Sequence, residues 1–230
     1  MLKAAICVNI GKHDVYRKDD YENSDWDFIT FTDLSQDEYR KWSGDNETTA
    51  ITINDFMFPK KGLCNKKKSS YLGITSLKTL ADISGVDYDL SVWLSGDNCV
   101  IGNLNEFVDS VHNGNVSAPI HPECKNSYED AIRIRSYNKD SLENLEQALD
   151  YFRNSGYEGG NGYHETFGLI KSNTSYAKKL EDLWGDEYLN LSTIRDQMSL
   201  PFARWVLKEF KMELSDFDGY SKKKMNGYFK

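Results

Sequence analysis

The sequence predicts an α/β fold, a mostly parallel sheet covered by helices in a single domain. Three observations predict it. Apolar, β-branched runs recur at strand length, a helix-period segment lies between two of them, and no Pro/Gly/Ser-rich linker, internal repeat or low-complexity tract divides the chain. Residues 4–10 form the first such run, and Gly11 opens a loop behind it. Residues 26–32 form a second strand that closes on Asp33, and residues 48–53 a third. Ser69 or Ser70 is placed to cap a helix whose apolar face is Tyr71, Ile74, Leu77 and Ala81, with Gly85 as its stop. Residues 89–94 then read as a buried strand that ends abruptly at Ser95-Gly96-Asp97-Asn98. Strand, crossover helix, strand is the pattern of a parallel α/β sheet.

The second half is more helical. Residues 116–120 are strand-like and lead into His121-Pro122. Asp140 and Ser141 begin a helix with Leu142, Leu145, Leu149 and Phe152 on one face, stopped at Gly156. A glycine-rich stretch at 156–162 precedes a strand expected at 166–170. Two last helices are expected at 175–184 and 193–210, the second opened by Thr193 and Asp196 as a capping pair. Pro201 has to sit in the first turn of a helix begun by Ser199, or kink a longer one.

Composition excludes several function classes. The 230 residues carry Lys+Arg 28 against Asp+Glu 36, a net charge of −8, which disfavours coating nucleic acid through bulk charge. Mean hydropathy is −0.64, and there is no apolar run of the roughly 18 residues a membrane span needs. The N-terminal apolar stretch has strand length rather than signal-peptide length, so a cytoplasmic setting is expected. Cys7, Cys64, Cys99 and Cys124 lack CxxC pairing and read as reduced thiols rather than as a disulfide pair or a zinc site.

Five segments carry chemistry. In open α/β sheets ligands bind at the carboxyl ends of strands, so Asp97, released there by Gly96, is placed to hold a metal or a sugar; Gly-Asp-Asn is equally ordinary turn chemistry. Pro122 restrains His121 to extended backbone, giving its imidazole a fixed direction toward phosphate, metal or sugar. In the extended stretch after the glycines, His164 and Glu165 alternate faces, so at most one points at a given ligand. Arg195, Asp196 and Gln197 fan out by ~100° each on a helical first turn and serve different neighbours. Lys60, Lys61, Lys66, Lys67 and Lys68 form a basic run leading into the helix expected at Ser69, where a helix N-terminus beside cations suits a diphosphate. Lys222–Lys224 form a second run; a solvated surface is the usual meaning of either.

Taken in order, these segments resemble one family, the TOD1/MUCI70-type glycosyltransferase-like proteins with bacterial and phage members. The resemblance spans residues 4 to about 207. It rests on Gly11-Lys12-His13-Asp14, then Phe31-Thr32-Asp33, then Ser91-Val92-Trp93-Leu94-Ser95-Gly96-Asp97-Asn98. It continues through His121-Pro122 with Tyr128-Glu129-Asp130-Ala131, the Tyr163 to Ile170 segment with Glu165, Trp184, and Arg195-Asp196-Gln197-Met198-Ser199-Leu200-Pro201. The last heptad is the most specific. One departure stands out: where the family has Trp-Ile-Asp-Gly-Asn, Ser95 replaces its aspartate and Asp97 its asparagine.

The resemblance implies a GT-A-like fold, a Rossmann-type mixed sheet whose first half, about residues 1–100, binds a nucleotide sugar. Residues of about 101–212 would position the acceptor, with a basic tail at 213–230. It implies transfer of a sugar from a nucleotide-diphosphate sugar, UDP-linked first, to a hydroxyl on a glycan, a small molecule or a hydroxymethylated base of phage DNA. Asp196, Glu165 and His121 are the implied catalytic residues. Asp97, Ser95, Lys66, Lys67, Arg195, Gln197, Gly11 and Asp33 are the implied donor contacts, and Asp97 the implied ligand of Mn2+ or Mg2+. The implied setting is the cytoplasm of a bacterial cell or phage-infected host. The departure at Ser95 leaves a second class open, a catalytically inactive binding or interaction protein on the same fold.

Overall fold

The computed structural model describes residues 1–12, 17–18, 23–95, 99–112, 114–160, 162–207 and 215–217, with backbone alone for 17–18, 99 and 215–217. A seven-stranded mixed sheet runs through the molecule. Its strands are β1 (Lys3–Asn9), β3 (Asp27–Thr32), β4 (Thr49–Thr52), β5 (Leu90–Leu94), β7 (Val116–Pro119), β8 (Leu169–Ser172) and β9 (Ser215–Phe217), in spatial order β4-β3-β1-β5-β8-β7-β9. All neighbours pair in parallel except β8, which runs antiparallel to β5 and β7. A two-stranded ribbon, β2 (Arg17–Lys18) with β6 (Cys99–Val100), stands apart. From β1 the chain builds outward through β3 and β4, then returns to β5 on the other side of β1. The strand order therefore reverses between β1 and β5, which leaves a crevice at their carboxyl ends.

Both sheet faces are buried, which is why the central strands read as continuous apolar runs. Along β1 the side chains alternate: Ala4, Ile6 and Val8 enter one core with Ile29, Phe31 and Trp93, while Ala5 and Cys7 enter a second with Val92, Leu94 and Ile170. The first core is closed by α2 (Asn65–Ile74), α3 (Ser76–Ser84), α7 (Ser175–Asn190) and α8 (Leu200–Leu207), and the second by α4 (Leu104–Val111). Two more helices, α5 (Ser127–Ser136) and α6 (Leu142–Asn154), pack with α8 around a third core, where the rings of Phe152 and Phe202 stack at 5.1 Å. The short α1 (Gln36–Ser43) links β3 to β4, held by a Ser35/Glu38 capping box and stopped by Gly44 at φ 74°.

Several boundaries differ from the sequence expectation. The helix expected to start at Ser69 or Ser70 begins at Asn65, behind Cys64, whose side chain makes no cap hydrogen bond. It also breaks at Thr75 into α2 and α3, because Thr75 Oγ1 back-bonds to the Tyr71 carbonyl at 2.9 Å and the fully buried Lys171 occupies two of the carbonyls at the break. Gly85, at φ 68°, ends α3 as expected. The strand expected at 166–170 starts at Leu169, since residues 166–168 bend toward the crevice and Gly168 adopts φ 70°. The final helix starts later than expected: a 3-10 turn at Asp196–Met198 precedes α8, with Pro201 in its first turn. Thr193 does not pair with Asp196. Its hydroxyl donates to Asp140 Oδ2 at 2.7 Å and accepts from Arg195 N at 3.1 Å, tying that loop to the start of α6.

Candidate functional site

The crevice between β1 and β5 opens into a cleft of about 630 Å³, inside the ordinary range for small-molecule sites. Its floor is the end of β1, Val8 to Ile10, beside Trp93 and Ser95 at the end of β5. It is lined by the first turns of α2, with Asn65, Lys66, Ser69 and Ser70, by Glu165, Thr166 and Phe167, and by Arg195, Asp196 and Gln197. Chain segments more than a hundred residues apart thus converge where the strand order reverses. The α2 wall offers backbone N–H groups that have no acceptor within the helix and no side-chain cap.

Glu165 owes its position to a short antiparallel pairing beyond β7. His121 N donates to Tyr163 O at 2.9 Å and Glu165 N to Pro119 O at 2.8 Å, which brings His121 and Glu165 side by side. Glu165 faces the cleft, and its Oε1 lies 3.3 Å from His121 Nε2. Its Oε2 accepts from Gln197 Nε2. His164 turns the other way, its Nδ1 3.0 Å from the Arg204 guanidinium.

The tautomer of His121 follows from its partners. Nδ1 accepts from Cys124 N at 2.9 Å and Glu123 N at 3.1 Å, so the imidazole proton sits on Nε2 and points at Glu165. The ring is wholly buried, 0% exposed. His121 therefore stands behind Glu165 and is not among the residues that line the cleft. Gln197 reaches the cleft, and its amide nitrogen holds Glu165 in place.

The remaining expected residues divide clearly. Ser95, Lys66, Arg195, Asp196 and Glu165 all line the one cleft. Lys67 does not: its ammonium donates to Leu191 O and lies 5.3 Å from the centre of the Tyr188 ring, and burial, aided by Lys60, pulls its pKa below the ordinary value. Lys60 and Lys68 are likewise engaged, with Leu189 O at 2.7 Å and Asp55 at 2.5 Å. The lysine run is thus largely structural, with Lys66 as its contribution to the cleft. Gly11 N donates to both oxygens of Asp33, at 3.1 and 3.2 Å, so these two close the loop after β1 against the end of β3. Asp97, with Asp14 and the Lys222–Lys224 run, lies outside the described residues.

Behind Glu165 is a buried polar cluster. His121, Cys124 and Asp130 offer ligand atoms within 4.8 Å of one another and could hold a metal ion. Their nitrogen, sulfur and oxygen donors do not suit Mn2+ or Mg2+, which take oxygen ligands. Burial and the Asp130 charge push the Cys124 thiol up to about 11, keeping it protonated at neutral pH. The guanidinium of Arg133 already lies 3.3 Å from His121 Nε2 and 3.6 Å from Asp130 Oδ1. Tyr163 donates its hydroxyl to Asp130 Oδ2, and burial raises its own pKa well above the ordinary value. Among the described residues, no helix is long and apolar enough to cross a membrane.

Sequence reasoning missed Asn9 and Asn65 in the cleft, and gave Trp93 only a place in the motif before Ser95. Trp93 also lies against Gly73 of α2, where an added Cβ would stand 2.6 Å from its Cε2, so the glycine sets the distance between helix and strand. No protein-family model matches the chain, and no curated protein matches it.

Proposed function

We propose that the chain is a glycosyltransferase that moves a sugar from a nucleotide-diphosphate sugar, with UDP-sugars the first donors to test, to an acceptor hydroxyl. The observation that carries this reading is the cleft at the strand-order reversal. It brings together two cations, the free helix N–H groups of α2 and two carboxylates. Sugar transfer needs both kinds of charge. As the glycosidic bond to the diphosphate breaks, negative charge grows on the leaving oxygen, and Lys66, Arg195 and the N-terminus of α2 are fixed positive partners for it. The carboxylates are suited to the reacting sugar: Glu165, held by His121 and Gln197, orients a hydroxyl, and Asp196 accepts the acceptor's proton.

The acceptor is a glycan, a small molecule or a hydroxymethylated base in phage DNA, and the proposed setting is the cytoplasm of a bacterium or phage-infected host. Mn2+ or Mg2+ would assist at Asp97, and the roles of Lys66, Arg195, Glu165 and Asp196 do not depend on it. The Ser95 departure favours one alternative, a sugar-nucleotide-binding protein without turnover. A single assay separates the two: incubation with UDP-, GDP- and dTDP-sugars, with and without chelator, and measurement of released nucleotide. Slow release from one donor, abolished in Asp196→Ala, is the expected result. Binding without release points to the inactive protein, and neither binding nor release from any donor refutes the donor-site reading.

A further inference from the structure

Asn9 is the last residue of β1, only 3% exposed, on the floor of the cleft. Both polar atoms of its side chain, Oδ1 and Nδ2, are buried without a hydrogen-bond partner. A buried carboxamide left in that state destabilises a fold, and such groups are rare enough that each requires a cause. The cause lies in what the cleft binds. Arg195 Nε, in the same cleft, is a second buried donor without a partner.

The two orphans differ in kind. A guanidinium N–H is satisfied by an anion. A carboxamide needs a partner that both donates and accepts, and phosphate oxygens at neutral pH only accept. Strand alternation separates Asn9 from Lys66 as well: Asn9 follows Ala5 and Cys7 on the face toward α4, whereas Val8 and Ile10 face α2, which carries Lys66. A ligand filling the cleft thus straddles the end of β1, with its anionic part toward Lys66 and Arg195 and a neutral part on Asn9.

We propose that Asn9 determines specificity by reading the hydrogen-bonding edge of the nucleotide's base, pairing its amide with an adjacent donor and acceptor on the heterocycle. Nucleobase edges present such pairs side by side, and asparagine meets them in a bidentate manner. This rests on the donor-site reading above and adds to it the residue that recognises the base.

The test uses the full chain, calorimetric titration with UDP, GDP, ADP, ribose 5-phosphate and pyrophosphate, and thermal melting without ligand. Asn9→Leu is the near-isosteric apolar variant, and Asn9→Ala is a second that makes no steric demand. Because the amide is unsatisfied in the free protein, Asn9→Leu should melt no lower than wild type, and both variants should bind the preferred nucleoside diphosphate about tenfold or more weakly. Pyrophosphate and ribose 5-phosphate should bind the variants as they bind wild type. Equal nucleotide affinity in wild type and variants overturns the Asn9 assignment alone, as does an equal loss for pyrophosphate or ribose 5-phosphate. A wild-type protein that binds no nucleotide overturns the donor-site reading and this proposal together.

Discussion

Replacing Lys171 by methionine tests how the α2 wall is held. Lys171, on β8, is 2% exposed at its side chain, and its ammonium donates to Gly73 O at 3.0 Å, Ile74 O at 2.7 Å, Ser76 Oγ at 3.0 Å and Glu181 Oε1 at 2.7 Å. Glu181, on α7, also accepts from Leu77 N at 3.2 Å and Lys78 N at 3.0 Å, so it caps α3. The pair fixes the α2–α3 break, and with it the angle at which α2 presents Lys66. Lys171→Met leaves a buried carboxylate without its counter-charge and strips the carbonyls of their donor, a loss of about 3–5 kcal/mol. At about 2–4 °C per kcal/mol for a chain of this size, the melting temperature should fall by about 6–20 °C. Adding Glu181→Gln removes the stranded charge while keeping an acceptor for α3, so the double variant should be more stable than Lys171→Met alone. Burial pulls the Lys171 ammonium below its ordinary pKa, with Glu181 opposing. The unfolded chain then binds the proton to higher pH than the folded one, so stability should rise with pH between the lowered value and about 10.4, and Lys171→Met should flatten that rise. Urea unfolding followed by circular dichroism reads all three effects. A loss below about 1 kcal/mol, or a double variant equal to the sum of the singles, would refute the coupling.

Other predictions follow the same geometry. Glu165→Gln should lower nucleotide release from the active donor about a hundredfold or more, while His121→Gln should lower it less and leave nucleotide affinity unchanged, both read by steady-state kinetics and titration. Lys66→Ala should weaken nucleoside-diphosphate binding about tenfold, whereas Lys67→Ala should leave it unchanged and reduce stability by about 1 kcal/mol in urea titration. Burial opposes ionisation of Asp140, but hydrogen bonds from Asn144, Thr193, Ile194 N and Ser141 N outweigh it and hold the carboxyl below its ordinary pKa. Its contribution to stability is present above about pH 3.9 and is lost as pH falls through the lower folded value, so Asp140→Asn should flatten the acid limb of the pH–stability curve.

The fold was most legible where one local pattern sufficed. Strands buried on both faces must be apolar throughout, so β1, β3 and β5 announce themselves, and Ser141 and Gly85 mark helix ends because each supplies its own cap or left-handed turn. Boundaries failed where the deciding partner is remote. Nothing near Asn65 signals a helix start, because Cys64 contributes no cap bond and the run Lys66 to Lys68 resembles a solvated loop. Only Leu191 O and Asp55, from other elements, show that two of those lysines are struts. The late start of β8 and the 3-10 turn at Asp196 have the same origin. Both segments bend to serve the cleft, and Trp184 Nε1 holds the second by donating to Ser199 Oγ at 2.9 Å.

The site separates in the same way, by whether chemistry or environment carries the information. A carboxylate or cation can be suspected from sequence, because its charge must be solvated, paired or used; Glu165, Asp196, Lys66 and Arg195 were visible for that reason. Asn9 was not, since an asparagine closing a strand is ordinary until both its polar atoms prove buried and unpaired. His121 is the converse case. As a histidine before proline it looked like a ligand contact, but two backbone N–H groups fix its tautomer and aim its proton at Glu165. If that arrangement serves Glu165, a variant at His121 should change how the carboxylate is held and leave Lys66 and Arg195 untouched. The contrast between turnover and nucleotide affinity in His121→Gln therefore distinguishes a residue that acts through Glu165 from one that touches the diphosphate itself.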